Sequence, residues 1–517
     1  MIRAIQRLLM WLVILTGGLY LAYQGLMYVQ VRDLMPQGTM VAGVDVSGLS
    51  VEETAETVLN RYMSPVAVYY RDERIEISPE QIGFTINMEQ MIQQIQHQQA
   101  QKTWWQGYLE YIIGRSLQPV EIPLQATHDR NALLDQLQTI ADFLDQPARP
   151  PHLLTESETF ELGQPGYVAD VNASLAEVEA AFYRPDNREA HMVIIDQPAP
   201  PLDMNLLADV INKLLDSFDG VGSIFIMDLQ TGEELAINAD IALSGLSIMK
   251  IPILLETYRA LDFEPTPNQR DLILGTMVYS GNYSANLLLD VVAGQDNAYL
   301  GVDILTESMH RLGLQNTFIV TPYEEPNRPG KTTMATPANS RQDIWTDPDP
   351  AMQTTAEDMG TLLSMIYYCS KGGGALLAVY PDQITPEECQ EMIDVMTLNT
   401  EGNLIRFGVP EDVPVAHKHG WGGNTHGDAG IVFSPGGDYV IVEYLTMPGS
   451  DWLVYDISFP ILREISRATY NYFNFDNPNL ETPEERALRE AARIQAEQAQ
   501  QEQANDAETT TDSGQDQ

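Results

Sequence analysis

Ser247 and Lys250 lie three residues apart in the run "LSGLSIMKIPILLETY", residues 243–258, where Lys250 is the only charge between Asp240 and Glu256. Burying an unpaired ammonium is costly, or it drives off the proton. The apolar residues from Ile248 to Leu255, followed by Glu256 and Arg259, read as the start of a buried helix. Pro252 lacks an N–H and belongs near a first turn, so the helix is expected to begin at about Gly245 to Ser247. Ser247 and Lys250 then share one face, at the end where free backbone N–H groups and the positive dipole gather. A hydroxyl, an amine and N–H donors are the parts of a nucleophile, its base and half an oxyanion hole. A capping serine beside a snorkelling lysine is the plainer use of the same residues.

Two further segments fit the chemical use. In "MVYSGNYSANLLLDVV" Ser280 and Asn282 stand on a short turn before an apolar helix; in "VAHKHGWGGNTHGDAGIVF" Lys418 sits on a strand expected to end at Gly420. The three together read Ser247-Ile-Met-Lys250, Ser280-Gly-Asn282 and Lys418-His419-Gly420, the order S-x-x-K, S-x-N, K-x-G. Residues 204–473 on this basis resemble class A β-lactamases and the related penicillin-binding serine hydrolases. "YSANLLL", "TTAEDMGTLL" and "HGDAGIV" agree with that resemblance.

The resemblance implies an α+β fold: an antiparallel sheet flanked by helices, an all-helical subdomain, and a site in the cleft between them. It implies that Ser247 is acylated, that Lys250 takes its proton, and that Ser280 passes a proton to the leaving group. Asn282 would bind a substrate amide, Lys418 the substrate carboxylate, and the backbone N–H groups of Ser247 and Trp421 the oxyanion. The substrate would be a β-lactam or a D-Ala-D-Ala-like peptide of peptidoglycan, with no cofactor. The physics of Lys250 agrees. A lysine is a base near neutral pH only after its pKa falls by several units, and burial beside Ile248, Met249 and Ile251 with a second cation, Lys418, pushes that way.

Three departures from the pattern matter. Gly281 replaces an aspartate, removing a scaffold carboxylate. His419 replaces the hydroxyl that meets the substrate carboxylate; an imidazole can donate there, best when protonated. The glutamate that activates the deacylating water has only loose counterparts, Glu324 and Glu325. A zinc hydrolase built on His417, His419 and His426, with Asp428 near, uses the third segment differently. A non-catalytic wall-binding protein with a decayed hydrolase domain is the other alternative, against which the intact Ser247, Lys250, Ser280, Asn282 and Lys418 argue.

The rest of the chain must position and deliver this site. At 517 residues it is too long for a single core. Residues 8–29 hold no charge for 22 residues, enough to cross a bilayer, and Arg3 and Arg7 in residues 1–7 favour a cytoplasmic N-terminus with the remainder outside. A cleaved signal peptide is the rival reading. Residues 40–195 read as a smaller α+β module: "MVAGVDVSGLSVEETAETVLNRY" as strand, turn and helix with a Ser50/Glu53 capping box, "VAVYYRDERIEI" as a hairpin, and "YVADVNASLAEVEAAF" as a second strand and helix. These stretches resemble the peptidoglycan-binding modules found beside VanW-type and transpeptidase domains. Residues 196–203, "DQPAPPLD", form a linker, and 481–517 an acidic, Gln-rich tail expected to be partly disordered.

With 28 basic against 73 acidic residues the net charge is −45, a field that repels nucleic acid. The two cysteines, Cys369 and Cys389, are expected to pair if the domain lies outside the cell. The whole reads as a single-pass, membrane-tethered protein with an extracytoplasmic serine hydrolase.

Overall fold

The computed structural model describes residues 2–99, 103–114, 119–154, 159–399 and 401–482, with positions 485, 488 and 491 beyond them. The expectation of disorder in the tail past 491 lies outside the described residues. Two compact units emerge, residues 1–150 with 163–200, and 151–162 with the chain from 201 onward. Residues 151–162, read from the sequence as part of the first module, belong to the second unit.

The first unit opens with the helix Ile2–Val31, long and apolar enough to cross a membrane. Its α+β body holds Val66–Tyr70 paired antiparallel with Glu73–Ile77 and parallel with Glu189–His191, and Gly166–Asp170 paired antiparallel with Val193–Gln197. The helix Val51–Tyr62 starts on the expected capping box: the Ser50 hydroxyl accepts from the Glu53 N–H, and the Glu53 carboxylate accepts from the Ser50 N–H. The strand expected in "MVAGVDV" is broken into Met40–Val41 and Val44–Asp45 by a tight turn with Ala42 and Gly43 both at positive φ. Tyr62, Val66, Val68, Leu133, Leu137, Val178 and Phe182 close its core.

In the second unit a five-stranded antiparallel sheet runs in the order Glu234–Ile237, Val221–Asp228, Gly437–Thr446, Thr425–Ser434, Val415–Gly422. The chain's early and late strands therefore meet side by side, and the intervening sequence builds the helical lobe. One sheet face packs on the helices Met204–Leu215 and Tyr455–Phe473; the other packs on Ala356–Ser370 and the core around the helix Lys250–Ala260. The helix expected from Ser458 begins three residues earlier, at Tyr455, and carries Pro460 in its second turn. Past the first turn the proline forfeits the bond that an N–H there would make to the Asp456 carbonyl four residues back. The hairpin His152–Leu154 with Thr159–Glu161 completes the unit, Phe160 meeting Tyr472 at 5.8 Å between ring centroids. Cys369 and Cys389, both fully buried, are disulfide-bonded and join Ala356–Ser370 to Pro386–Thr397.

Candidate active site

Ser247 lies in a 3₁₀ turn, Leu246–Met249, that runs into the helix Lys250–Ala260. A 3₁₀ turn has three residues per turn, so positions i and i+3 eclipse. Lys250 is thereby stacked on Ser247, with its Nζ 2.7 Å from Ser247 Oγ. The same Nζ donates to Asn282 Oδ1 at 2.8 Å and lies 4.3 Å from the Tyr323 ring centroid. Lys250 has no exposed surface. Burial first, and the Lys418 charge second, bring its pKa from 10.5 to about 7, against an opposing pull from Glu324.

Asn282 is the first residue of the helix Asn282–Ala293 and bridges two charged groups. Its Oδ1 accepts from Lys250, and its Nδ2 donates to Glu324 Oε1 at 2.8 Å. One turn along that helix, Asn286 clamps the backbone of Tyr323, accepting its N–H at 3.0 Å and donating to its C=O at 2.8 Å. The Tyr323 hydroxyl in turn donates to the Leu246 carbonyl at 2.8 Å. Leu246, Ser280 and Glu324 all take positive φ, between 52° and 58°. Non-glycine residues bear such strain only where their surroundings over-determine it; Leu246 and Glu324 line the cleft, and Ser280 stands two residues before Asn282.

Lys418 is on the sheet's edge strand, Val415–Gly422, which packs on the Ser247 turn. Gly420 is required there, because a Cβ would come within 2.8 Å of Leu246 Cβ and 2.9 Å of the Ser247 nitrogen. Lys418 is fully buried, donates to the His419 carbonyl at 2.9 Å, and is lowered by burial to a pKa of about 8 despite Asp428 and Glu401. Ser247, Asn282, Glu324, Glu325 and Trp421 line one open cleft of about 370 Å³. Glu325 makes no side-chain hydrogen bond or ion pair among the described residues, which separates it from Glu324.

Two expected members stand apart from this cluster. Ser280 makes no side-chain hydrogen bond among the described residues and does not line the cleft with Ser247. His419 leaves its strand on the face opposite Lys418, the face shared with His417, Trp421 and Asp428, because side chains alternate along a strand. It stacks on Trp421, with 4.5 Å between ring centroids. Asn399 fixes its tautomer. The Asn399 Oδ1 accepts from the Glu401 N–H at 3.0 Å, while Nδ2 donates to the His417 carbonyl at 3.0 Å and faces His419 Nδ1 at 3.3 Å. Nδ1 is then the acceptor and Nε2 holds the proton. Burial, then Lys418, lowers the imidazole to about 3, so the expected donation from a protonated ring is not available near neutral pH.

The three imidazoles of the zinc alternative do not converge. His417 faces the Asp428 carboxylate at 2.9 and 3.0 Å, His419 faces Asn399, and His426 faces Ser458 Oγ at 2.6 Å. Among the described residues no three His, Cys, Asp or Glu side chains are grouped to hold a metal ion. At Gly281 the missing scaffold carboxylate is replaced by hydroxyls: Thr276 donates to Ser284, and Ser284 donates to the Gly281 carbonyl.

Asn286 and Tyr323 escaped the sequence reading. Asn286 had a usable signal, since it stands four residues after Asn282 on one helix face; Tyr323 sits in an irregular loop with none.

An antiparallel sheet backed by helices on both faces, with a buried lysine on a serine at the edge of a helical lobe, is the architecture of the β-lactamase-like serine hydrolases. The chain belongs to the Beta-lactamase enzyme family, whose family model matches residues 206–265 and 263–473. A peptidoglycan binding domain model matches residues 72–191. Among solved structures, PBP-A as a penicillin G acyl-enzyme complex aligns at 20% identity over 53% of this chain and 99% of its own, with a TM-score of 0.40. A β-lactamase from Xanthomonas campestris aligns at 17% identity over 52% and 99%, TM-score 0.40. A β-lactamase from Sphaerobacter thermophilus aligns at 18% over 53% and 98%, TM-score 0.38. No curated protein matches the chain.

Proposed function

We propose that this protein is a membrane-anchored, extracytoplasmic serine hydrolase that forms an acyl-enzyme on Ser247 with a β-lactam or a D-Ala-D-Ala-like peptidoglycan peptide. The observation that carries the reading is the 2.7 Å contact between Ser247 Oγ and a fully buried Lys250 Nζ whose pKa lies near 7. A neutral Lys250 takes the hydroxyl proton as Oγ attacks the carbonyl carbon. The backbone N–H groups of Ser247 and Trp421 stabilise the tetrahedral oxyanion. The C–N bond then breaks, and the leaving nitrogen takes a proton relayed from Lys250 through Ser280, which must reach the cleft in the substrate complex. Protonated Lys418 attracts the substrate carboxylate and Asn282 holds a substrate amide, while His419, on the opposite face of the strand, would have to turn toward the cleft in the substrate complex to donate its Nε2–H.

Glu324 supplies deacylation in this scheme. Its contact with Asn282 keeps it within one side chain of Lys250, and a carboxylate there can take a proton from water attacking the ester. The apolar helix Ile2–Val31 anchors the chain, and the first unit binds the cell wall, a reading that the 72–191 match supports. Intact-protein mass spectrometry after brief and prolonged exposure to penicillin G tests the reading. A Ser247-dependent adduct is expected and should vanish in Ser247→Ala. A persistent adduct indicates a penicillin-binding type and a transient one a lactamase. No adduct with penicillin or with an acylating peptide analogue would overturn the proposal in favour of a decayed domain.

A further inference from the structure

The helix Trp104–Ile112 in the first unit divides its surface three ways. At 100° per residue, Trp104, Gly107, Tyr108 and Tyr111 form one face, Thr103, Gln106 and Glu110 a second, and Trp105, Leu109 and Ile113 a third. The first face packs on the apolar helix Ile2–Val31. Tyr28 meets the rings of Trp104, Tyr108 and Tyr111 at 5.5 to 5.8 Å between centroids. The Tyr108 hydroxyl donates to the Leu21 carbonyl, Gly25 faces the Tyr108 ring, and a Cβ on Gly107 would collide with the Tyr28 hydroxyl. The second face holds a capping box, with the Gln106 side chain accepting from the Thr103 N–H and hydroxyl. The third face is turned outward: Trp105 meets only the rings of Trp104 and Tyr108 on its own helix, at 4.6 and 6.4 Å between centroids, among the described residues. Trp105, Leu109 and Ile113 are 68, 59 and 65% exposed.

The long helix says what covers that face. Its uncharged run, residues 8–29, spans about 33 Å at 1.5 Å per residue, the thickness of a bilayer core. Leu21 lies eight residues before the end of the run, so Tyr108 reaches about 12 Å back from it. Tryptophan and tyrosine are the residues that populate the membrane–water interface, and four of the nine residues of Trp104–Ile112 are of these types. A cleaved leader would have no lasting partner, whereas this one is fastened to the folded module by the rings of Tyr28, Trp104, Tyr108 and Tyr111.

We infer that Trp104–Ile112 is an interfacial helix that lies in the outer leaflet beside the membrane span, with Trp105, Leu109 and Ile113 immersed in lipid. The inference rests on the membrane-anchor reading of Ile2–Val31 and extends it to a second element. Its effect is to hold the first unit at the bilayer surface instead of letting it swing on the span.

The test uses the full chain reconstituted in vesicles of phosphatidylcholine with a minority of phosphatidylglycerol. The native cysteines are buried in a disulfide, so spin labels can be placed selectively at Leu109→Cys and, as a second variant, Trp105→Cys. Leu12→Cys reports the span and Phe143→Cys, 85% exposed, reports water. Collisional accessibility to oxygen should exceed that to a water-soluble nickel chelate at Leu12, Leu109 and Trp105, with the ratio inverted at Phe143. If both helix labels read as Phe143 does while Leu12 stays in the bilayer, the inference is wrong and the anchor stands. If Leu12 itself reads as water, the anchor fails and the inference with it. Shielding of the helix labels from both reagents, with label–label coupling, would mean that a second copy covers the stripe and would also overturn it.

Discussion

The pH dependence of acylation follows from the environment of Lys250. A pKa near 7, lowered from 10.5, leaves about half of the side chains neutral at pH 7, about a tenth at pH 6 and about nine-tenths at pH 8. An exposed lysine at 10.5 would be neutral in only about 3 molecules in 10⁴ at pH 7, so burial raises the supply of base by roughly three orders of magnitude. The second-order rate of penicillin acylation, read in the free enzyme by stopped-flow or quenched mass spectrometry, should rise about fivefold from pH 6 to 7 and peak at about pH 7.5. It should then fall as Lys418, at about 8, loses the charge that attracts the substrate carboxylate. Lys418→Met removes the second cation and should move the rising limb upward on the order of one unit, the effect of a like charge in the same cleft at an effective dielectric of about 20. A flat profile between pH 6 and 8, or a rising limb centred above 9, would refute the assignment of Lys250 as the base. A downward move in Lys418→Met would refute the electrostatic reasoning.

Other changes have expected signs. Glu324→Gln should leave acylation intact and prolong the penicillin adduct about 10²- to 10⁴-fold, measured by its decay in intact mass spectra; an unchanged lifetime would remove Glu324 from deacylation. Asn286→Leu deletes both bonds that clamp Tyr323 and should slow deacylation while lowering stability by about 1–3 kcal/mol; normal turnover in a folded variant would show that the loop holds its shape without the clamp. Glu443 is fully buried, its two carboxylate oxygens have no hydrogen-bond partner among the described residues, and burial followed by Asp428 raises its pKa well above 4.5. A raised carboxyl means that the folded state holds a proton the unfolded state has released, so its contribution falls as pH rises above about 4.5, by about 1.4 kcal/mol per unit. The stability of Glu443→Gln relative to the parent, from denaturant unfolding, should therefore grow between pH 5 and 7, and a constant difference would contradict a protonated Glu443.

The parts of the site that were legible in the sequence are those set by local geometry. Ser247 and Lys250 are one turn apart, and Pro252 fixes where that turn must lie, so their contact follows from spacing. The Ser50/Glu53 box and the hairpins at Val66–Ile77 and Val221–Ile237 are short-range for the same reason. What stayed hidden depends on tertiary placement. Glu324 finds Asn282 across 42 positions, and no pattern in "TPYEEPN" distinguishes it from Glu325. The face taken by His419 turns on which side of an edge strand meets the helical lobe, and the period of two is silent on that. The detour of 151–162 was unreadable because a short, mostly polar hairpin with only Leu153, Leu154 and Phe160 apolar between 152 and 161 carries no sign of which core it joins.

That detour bears on how the protein can be cut. The polypeptide passes between its two folding bodies three times, at about 150, 162 and 200, so the hydrolase is not one uninterrupted stretch of chain. A fragment beginning at 201 would lack Phe160 and leave bare the patch around Tyr472 and Leu207 that it helps to seal. Cleaving the proline-rich crossing alone would nick the molecule without dividing its cores. Whatever trims such a protein at the envelope, a single clip there would not by itself set a complete enzyme free.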